Sequence, residues 1–264
     1  MITGNVKEEV VEHDNGVNNI INDIGSEKVV VFDIDSLVYF TLYSGKDEFG
    51  NKNPEYTTND LDYLKSKLAE MVMKHLNKID EYFVTKSLFI FIRGKNNFRK
   101  DIYPEYKSNR PTPNPLNSYL YDYLKEEFQA IESHGCETDD MCYTIAKKLN
   151  FDCIILSSDK DLYQMPCIFY DYKKDYWCRI SEKEAKFNLY RQLVIGDASD
   201  GVNLTQGLGK SYFNKNFNID MTDEQYEENL LKAFIKVWKD ETIAKEKIEL
   251  AKQLLTLKDM DDND

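Results

Sequence analysis

The chain has 264 residues, 42% hydrophobic and 13% aromatic, which is enough to bury a core and excludes a wholly disordered polypeptide. No apolar run approaches the ~20 residues that span a bilayer, so no membrane partner is expected. The formal net charge of −13 does not exclude a polyanionic partner: residues 1–27 carry −5, the last six residues −4, and only −4 remains for the body between them.

In chain order, residues 1–27 read as an acidic tail without a secretory leader, expected to be disordered apart from a short helix at "VNNIINDI". "KVVVFDI" (28–34) is a β-branched run of the buried parallel type. A long amphipathic helix follows, with Leu61, Leu64, Leu68, Val72 and Leu76 at helical spacing. "SLFIFI" (87–92) reads as a second buried strand. The basic stretch "RGKNNFRKDIYPEYKSNR" (93–110) carries six Lys/Arg against two carboxylates, and "RPTPNPLN" after it interrupts helix as a mobile loop. "SYLYDYLKEEFQAI" and "ETDDMCYTIAKKL" are helices, "FDCIILSS" is a third buried strand, and "CIFYDY" and "YWCRI" are short strands. Strands alternating with helices predict an α/β fold with a central, mainly parallel sheet. A catalytic domain over 28–181 is expected, with its basic segment at about 93–125. Residues 182–258 turn to helix and turn, and 259–264 form a second acidic tail. Five cysteines without a CxxC pair, and three scattered histidines, fit no zinc pattern; buried free thiols in a reducing cytoplasm are expected.

The acids carry the chemistry. Asp33 ends the first strand, with Asp35 two residues on, and Asp159 and Asp161 follow the third strand. Glu137, Asp139 and Asp140 open a helix; Asp197 and Asp200 repeat the i, i+3 spacing in "GDASD". Singly, each has a plain explanation: first-turn acids complement the helix dipole, and strand-end Asp residues make Asx turns. Together, at the strand ends where open α/β sheets bind ligands, they need counter-charge. Hard oxygen ligands without His or Cys favour Mg²⁺ or Mn²⁺.

"FRKDIYPEYKSNR", "GCETDD", "SSDKDLYQ" and "GDASDG…GLG", in this order, resemble the signature of the 5′-nuclease superfamily over residues 28 to about 215. That family includes flap endonucleases, the 5′-nuclease domain of bacterial DNA polymerase I, and the phage exonucleases and ribonucleases H, which this chain resembles most in size. The resemblance implies a PIN-like nuclease fold with a helical arch and a C-terminal helix–hairpin–helix. It also implies two Mg²⁺ ions, replaceable by Mn²⁺, held by Asp33, Glu137, Asp139, Asp140, Asp159, Asp161, Asp197 and Asp200. One position departs: Ile92 stands where the family has an Asp, and Asp35 either compensates or is a turn acceptor.

The basic stretch interleaves charge with Tyr103 and Tyr106, the pattern of a single-stranded nucleic-acid path. By the resemblance, Arg99 and Lys107 touch the scissile phosphate, Tyr106 stacks on a base, Arg110 holds the arch or the backbone, and Lys95 adds to the binding face. "GVNLTQGLGK" is similar to the helix–hairpin–helix turn that grips duplex DNA, with Gly207, Gly209 and Lys210 at the phosphate and sometimes a K⁺ ion. The implied activity is metal-dependent 5′→3′ exonuclease and 5′-flap endonuclease action on DNA or RNA–DNA hybrids in replication, such as primer removal. A monomer is expected, working with a single-stranded-DNA-binding or other replication protein. Two alternatives stay open: a PIN-type ribonuclease, and a catalytically weakened protein that binds branched DNA.

Overall fold

The computed structural model describes residues 17, 20–43 and 55–261. Residues 1–16, 18 and 19 of the N-terminal tail expected to be disordered, and residues 262–264 of the C-terminal acidic tail, lie outside the described residues.

The β-branched run forms β1 (Glu27–Asp33), followed by α1 (Asp35–Tyr43). Then come α2 (Leu61–Asp80) and β2 (Val84–Ile92). The basic stretch supplies only the five-residue α3 (Phe98–Ile102), and α4 (Leu116–Phe128) follows the prolines. A two-residue β3 (Ile131–Glu132), too short to leave a sequence pattern, precedes α5 (Thr138–Lys148) and β4 (Cys153–Leu156). The hairpin β5 (Ile168–Asp171) and β6 (Tyr176–Arg179) completes the sheet. Four helices end the chain: α6 (Glu182–Ile195), α7 (Lys210–Asn216), α8 (Asp223–Trp238) and α9 (Glu241–Leu255).

The six strands lie in the order β3-β2-β1-β4-β5-β6, all parallel except β6. Strand periodicity sends alternate residues to two cores. Val30, Phe32, Ile90, Ile92 and Ile154 face α1, α2 and α4, meeting Leu37, Leu64, Leu68 and Leu120. Val31, Phe91, Ile155 and Phe169 face the other way, against Cys142 and Ala146 of α5. Complete burial of each such aliphatic side chain contributes about 1.5–3 kcal/mol. A third core joins α6–α9, and Tyr106 from the basic stretch is part of it.

Capping chemistry sets the helix starts: reciprocal boxes pair Glu137 with Asp140, Ser181 with Glu184, and Thr222 with Gln225. All five cysteines are buried and free. Among the described residues no helix is long and apolar enough to cross a membrane.

Two expectations about the ends need correction. Residues 20–26 are not tail. Ile20 is fully buried, Gly25 N–H donates to the Tyr82 carbonyl, and Ile21–Asp23 of "VNNIINDI" form a 3₁₀ turn. Ile20 and Val17 pack into the sheet's core, while Ile21 and Ile24 stay exposed. The C-terminal acids also dock: Leu257, Lys258 and Met260 donate backbone N–H bonds to Gln164, Asp140 and Thr144, while Asp259 pairs with Lys147 and Asp261 with Lys148. Alternating backbone and side-chain anchors make residues 256–261 a strap across α5.

Candidate active site

The parallel strands point their carboxyl ends to one edge, and loops leaving that edge bring the acids together. Asp33 closes β1 and is 3% exposed; its Oδ1 accepts from Asp35 N–H (3.3 Å) and its Oδ2 from the Ser157 hydroxyl (2.9 Å). Asp159 lies two residues beyond Ser157 and caps the 3₁₀ turn Lys160–Gln164 through Asp161 N–H (2.9 Å). Asp139 enters from the first turn of α5. Burial, then the charges of Asp35 and Asp159, push the Asp33 carboxyl up to about 8. Burial and the charges of Asp159 and Asp197 push Asp161 to about 8 as well. Asp139 rises well above the usual carboxylate range through burial and the charges of Asp159 and Asp33. Asp159 is raised too, by burial above all. Acids from three distant segments thus share a pocket that disfavours their ionisation.

The remaining acids face cations. Lys107 Nζ pairs with Glu137 and lies 3.5 Å from Asp200, while Arg110 reaches Asp200 Oδ1 at 2.7 Å. Burial opposes the Lys107 charge, but Glu137 and Asp200 outweigh it and raise its pKa. The Lys107 backbone sits in the left-handed region (φ 56°), its N–H bonded to the Asp200 carbonyl at 2.8 Å. Gly196, also left-handed (φ 78°), opens the turn that presents Asp197 and Asp200; a side chain there would meet the Val202 carbonyl. Lys160 reaches Asp197 at 3.3 Å. Burial would raise Asp197, but the Ser199 hydroxyl and backbone N–H, with Lys160, hold it below its ordinary value.

Three expected roles change. Arg99 is 3% exposed, its guanidinium bonded to both Asp140 oxygens (2.5 and 2.8 Å) and to the carbonyls of Leu254 and Thr256. It is walled off from any phosphate path because it anchors the end of α9. Asp140 is fully buried; its oxygens also accept from Glu137 N–H and Lys258 N–H. Four donors leave this carboxylate no open face for a metal. Tyr106 is 1% exposed and offers no face for a base. Its ring joins the helical core, and its hydroxyl lies 2.8 Å from Glu137 and 2.6 Å from Asp200, with one proton for the two carboxylates. Within the basic segment, Lys107, Asn109 and Arg110 are bonded onto the 198–200 turn.

Lys95 is exposed in the loop before α3. Gly207, Gly209 and Lys210 are exposed at the start of α7, with open space above both glycines, away from the hydrogen bonds that tie the acidic pocket. Sequence reading overlooked Ser157, Thr138, Lys160 and Lys258; only Lys160, a cation between Asp159 and Asp161, left a signal there.

The acids fit a hard divalent cation by chemistry: several buried carboxylates whose pKa stays raised although Lys107 and Lys160 offset part of their charge. Among the described residues, however, no three His, Cys, Asp or Glu side chains surround a single ion position.

A family model described as "5′-3′ exonuclease, N-terminal resolvase-like domain" matches residues 28–186. The chain belongs to this 5′-3′ exonuclease family. The chain is 33% identical over 137 residues to DNA polymerase I of Rhizobium leguminosarum, covering 46% of this chain and 14% of that protein. It is 35% identical over 106 residues to a 5′-3′ exonuclease of Buchnera aphidicola, covering 37% and 36%. It is 26% identical over 196 residues to the flap endonuclease Xni of Psychromonas ingrahamii, covering 66% and 73%. The chain thus spans a seventh of the polymerase and about a third of the Buchnera protein. The bacteriophage T5 5′-exonuclease with bound zinc shares the fold at TM-score 0.52 and 14% identity, covering 87% of this chain and 98% of that one. The T5 flap endonuclease complexed with DNA and metal ions does so at 0.50 and 15%, covering 86% and 100%. The 5′-3′ exonuclease domain contains Asp33, Glu137, Asp139, Asp140, Asp159 and Asp161, whereas Asp197 and Asp200 arrive from beyond it.

Proposed function

We propose that this 5′-3′ exonuclease family member is a divalent-metal-dependent nuclease that hydrolyses phosphodiester bonds at a free 5′ end or a 5′ flap. Its substrates are DNA and RNA–DNA hybrids in replication, with primer removal as the natural task, in the cytoplasm. The observation that carries this reading is the shared pocket of Asp33, Asp139, Asp159 and Asp161, whose charges disfavour one another's ionisation. Two Mg²⁺ ions, or Mn²⁺, would be held by these four with Glu137, Asp197 and Asp200. Bound there, such ions would supply Lewis-acid chemistry for the hydrolysis of a phosphodiester by water.

The chain's own residues do the rest. Lys107 releases Glu137 and Asp200 and turns its ammonium to the phosphate, offsetting charge as it develops. Arg110 and Lys95 hold the strand's backbone, so sequence preference is weak. Gly207, Gly209 and Lys210 support duplex phosphates, with K⁺ as an optional ion there. A single-stranded-DNA-binding or other replication protein is the natural partner of a monomer acting there.

A second reading has its own support. Ile92 is apolar, and cations occupy Glu137 and Asp200, as suits a protein that binds branched DNA and cuts it poorly. A 5′-flap duplex incubated with Mg²⁺ and with Mn²⁺ separates the two: products with 5′ phosphates support the nuclease. Tight flap binding without cleavage in either metal supports the binding protein, and preferential cutting of unstructured RNA points to a PIN-type ribonuclease.

A further inference from the structure

The C-terminal strap meets two of the elements that carry the pocket's acids. The 3₁₀ turn Lys160–Gln164 starts at Asp159 and Asp161 and ends at Gln164, while the first turn of α5 carries Asp139 and Asp140. Gln164 grips the strap with both ends of its amide: Nε2 donates to the Leu255 carbonyl (2.8 Å), and Oε1 accepts from Leu257 N–H (3.3 Å). Nε2 also donates to Gln192 Oε1 of α6 (2.5 Å), so both amide hydrogens are used. Further along the strap, Lys258 N–H donates to Asp140 Oδ1 and Met260 N–H to the Thr144 hydroxyl, both at 2.9 Å and both on α5. The Leu257 side chain is 7% exposed, in the core that holds Leu162 of the 3₁₀ turn and Cys142 and Ala146 of α5.

Asp139 and Asp159 stand on different elements and repel each other, so the pocket needs a tie between α5 and the 3₁₀ turn. The strap is that tie, and it is short: Gln164 holds residue 257, and Asp140 holds residue 258. The other Asp140 oxygen accepts Glu137 N–H at 3.1 Å, which carries the restraint to the first acid of α5. We infer that Gln164 and the strap form a clamp that sets the spacing of α5 and the 3₁₀ turn, making Gln164 a positioning residue for the pocket's acids. The clamp follows from the packing alone; its part in catalysis rests on the nuclease reading above.

The test is backbone amide exchange followed by NMR on the full chain without metal or DNA. Gln164→Leu keeps the bulk and removes both amide bonds to the strap. Leu257 and Lys258 N–H should then exchange at least about tenfold faster, the scale of one lost hydrogen bond. Glu137 N–H and Asp161 N–H, the latter held by Asp159 Oδ1 at 2.9 Å, should follow, while Leu68 and Val72 in the middle of α2 keep wild-type rates. Faster strap exchange with Glu137 and Asp161 unmoved overturns the clamp, as do wild-type rates throughout or an acceleration that extends to α2. On a 5′-flap duplex in Mg²⁺, kcat should fall at least about tenfold with KM unchanged, because the acids shift and the phosphate contacts do not. Wild-type kcat in a variant whose pocket amides have loosened overturns the positioning role. If wild type cuts no flap, the nuclease reading falls and the positioning role with it, and the exchange rates still decide the clamp. Should Gln164→Leu fail to fold by circular dichroism, Gln164→Met, similar in length and without an amide, is read by the same outcomes.

Discussion

Arg99 and Asp140, 41 residues apart in sequence, form a two-pronged ion pair sealed from solvent beneath the end of α9. The pair joins α3 through Arg99, α5 through Asp140, the end of α9 through Leu254, and the C-terminal strap through Thr256 and Lys258. A buried pair with all its hydrogen bonds made holds geometry, and removing one member strands the other.

Arg99→Ala should accordingly destabilise the protein by about 3–5 kcal/mol, because Asp140 is left charged and unpaired. Urea unfolding measures it. A loss below about 1 kcal/mol, the range of exposed pairs, would show that the pair is open to water.

Lys107→Ala should have two opposite effects. Removing the ammonium from Glu137 and Asp200 should tighten Mn²⁺ binding in the absence of DNA. Flap cleavage under saturating metal should fall by about a hundredfold, the scale of one lost electrostatic group at a developing charge. Weaker Mn²⁺ binding would mean that Lys107 organises the acids instead of competing for them.

Asp159→Asn should lower flap cleavage by at least about a hundredfold while leaving flap affinity near wild type. The same change should raise the metal-free melting temperature, since it removes a buried charge that also repels Asp33, Asp139 and Asp161. A melting temperature that falls would place Asp159 outside the repelling group.

His75 gives a pH prediction remote from the site. It is 6% exposed on α2, near the rings of Tyr170 and Tyr172, and its Nδ1 has no hydrogen-bond partner. Burial, with the Lys74 charge and against that of Asp175, lowers its pKa from 6.5 to about 4. The unfolded chain therefore binds the proton more readily, so the neutral ring's contribution is complete above pH 6.5 and is lost as pH falls towards 4. His75→Leu should be less sensitive than wild type to acid across that window, followed by thermal melts at stepped pH. Parallel curves would contradict the burial of a neutral imidazole.

The linear chain was most legible where periodicity or capping acts over a few residues. The β-branched run of 28–34, the heptad-like leucines of α2 and the acid pair that caps α5 each predict their element, because neighbouring side chains decide them. The acids at the ends of β1 and β4 were legible as one group, since parallel strands must deliver their carboxyl ends to one edge. Which acid keeps a free face was not legible. Asp139 and Asp140 are adjacent in sequence, yet one sits in the repelling pocket and the other is taken up by Arg99 and the backbone of Lys258. The family resemblance implies a binding arch for the basic stretch, but Tyr106 is drawn into the core of α6–α9, and Lys107 and Arg110 pair with Glu137 and Asp200. Local sequence thus determined the strands, the helix starts and the inventory of charges. Only tertiary packing decided which charges neutralise each other, because that depends on partners up to 157 residues away and on how much water each pair excludes.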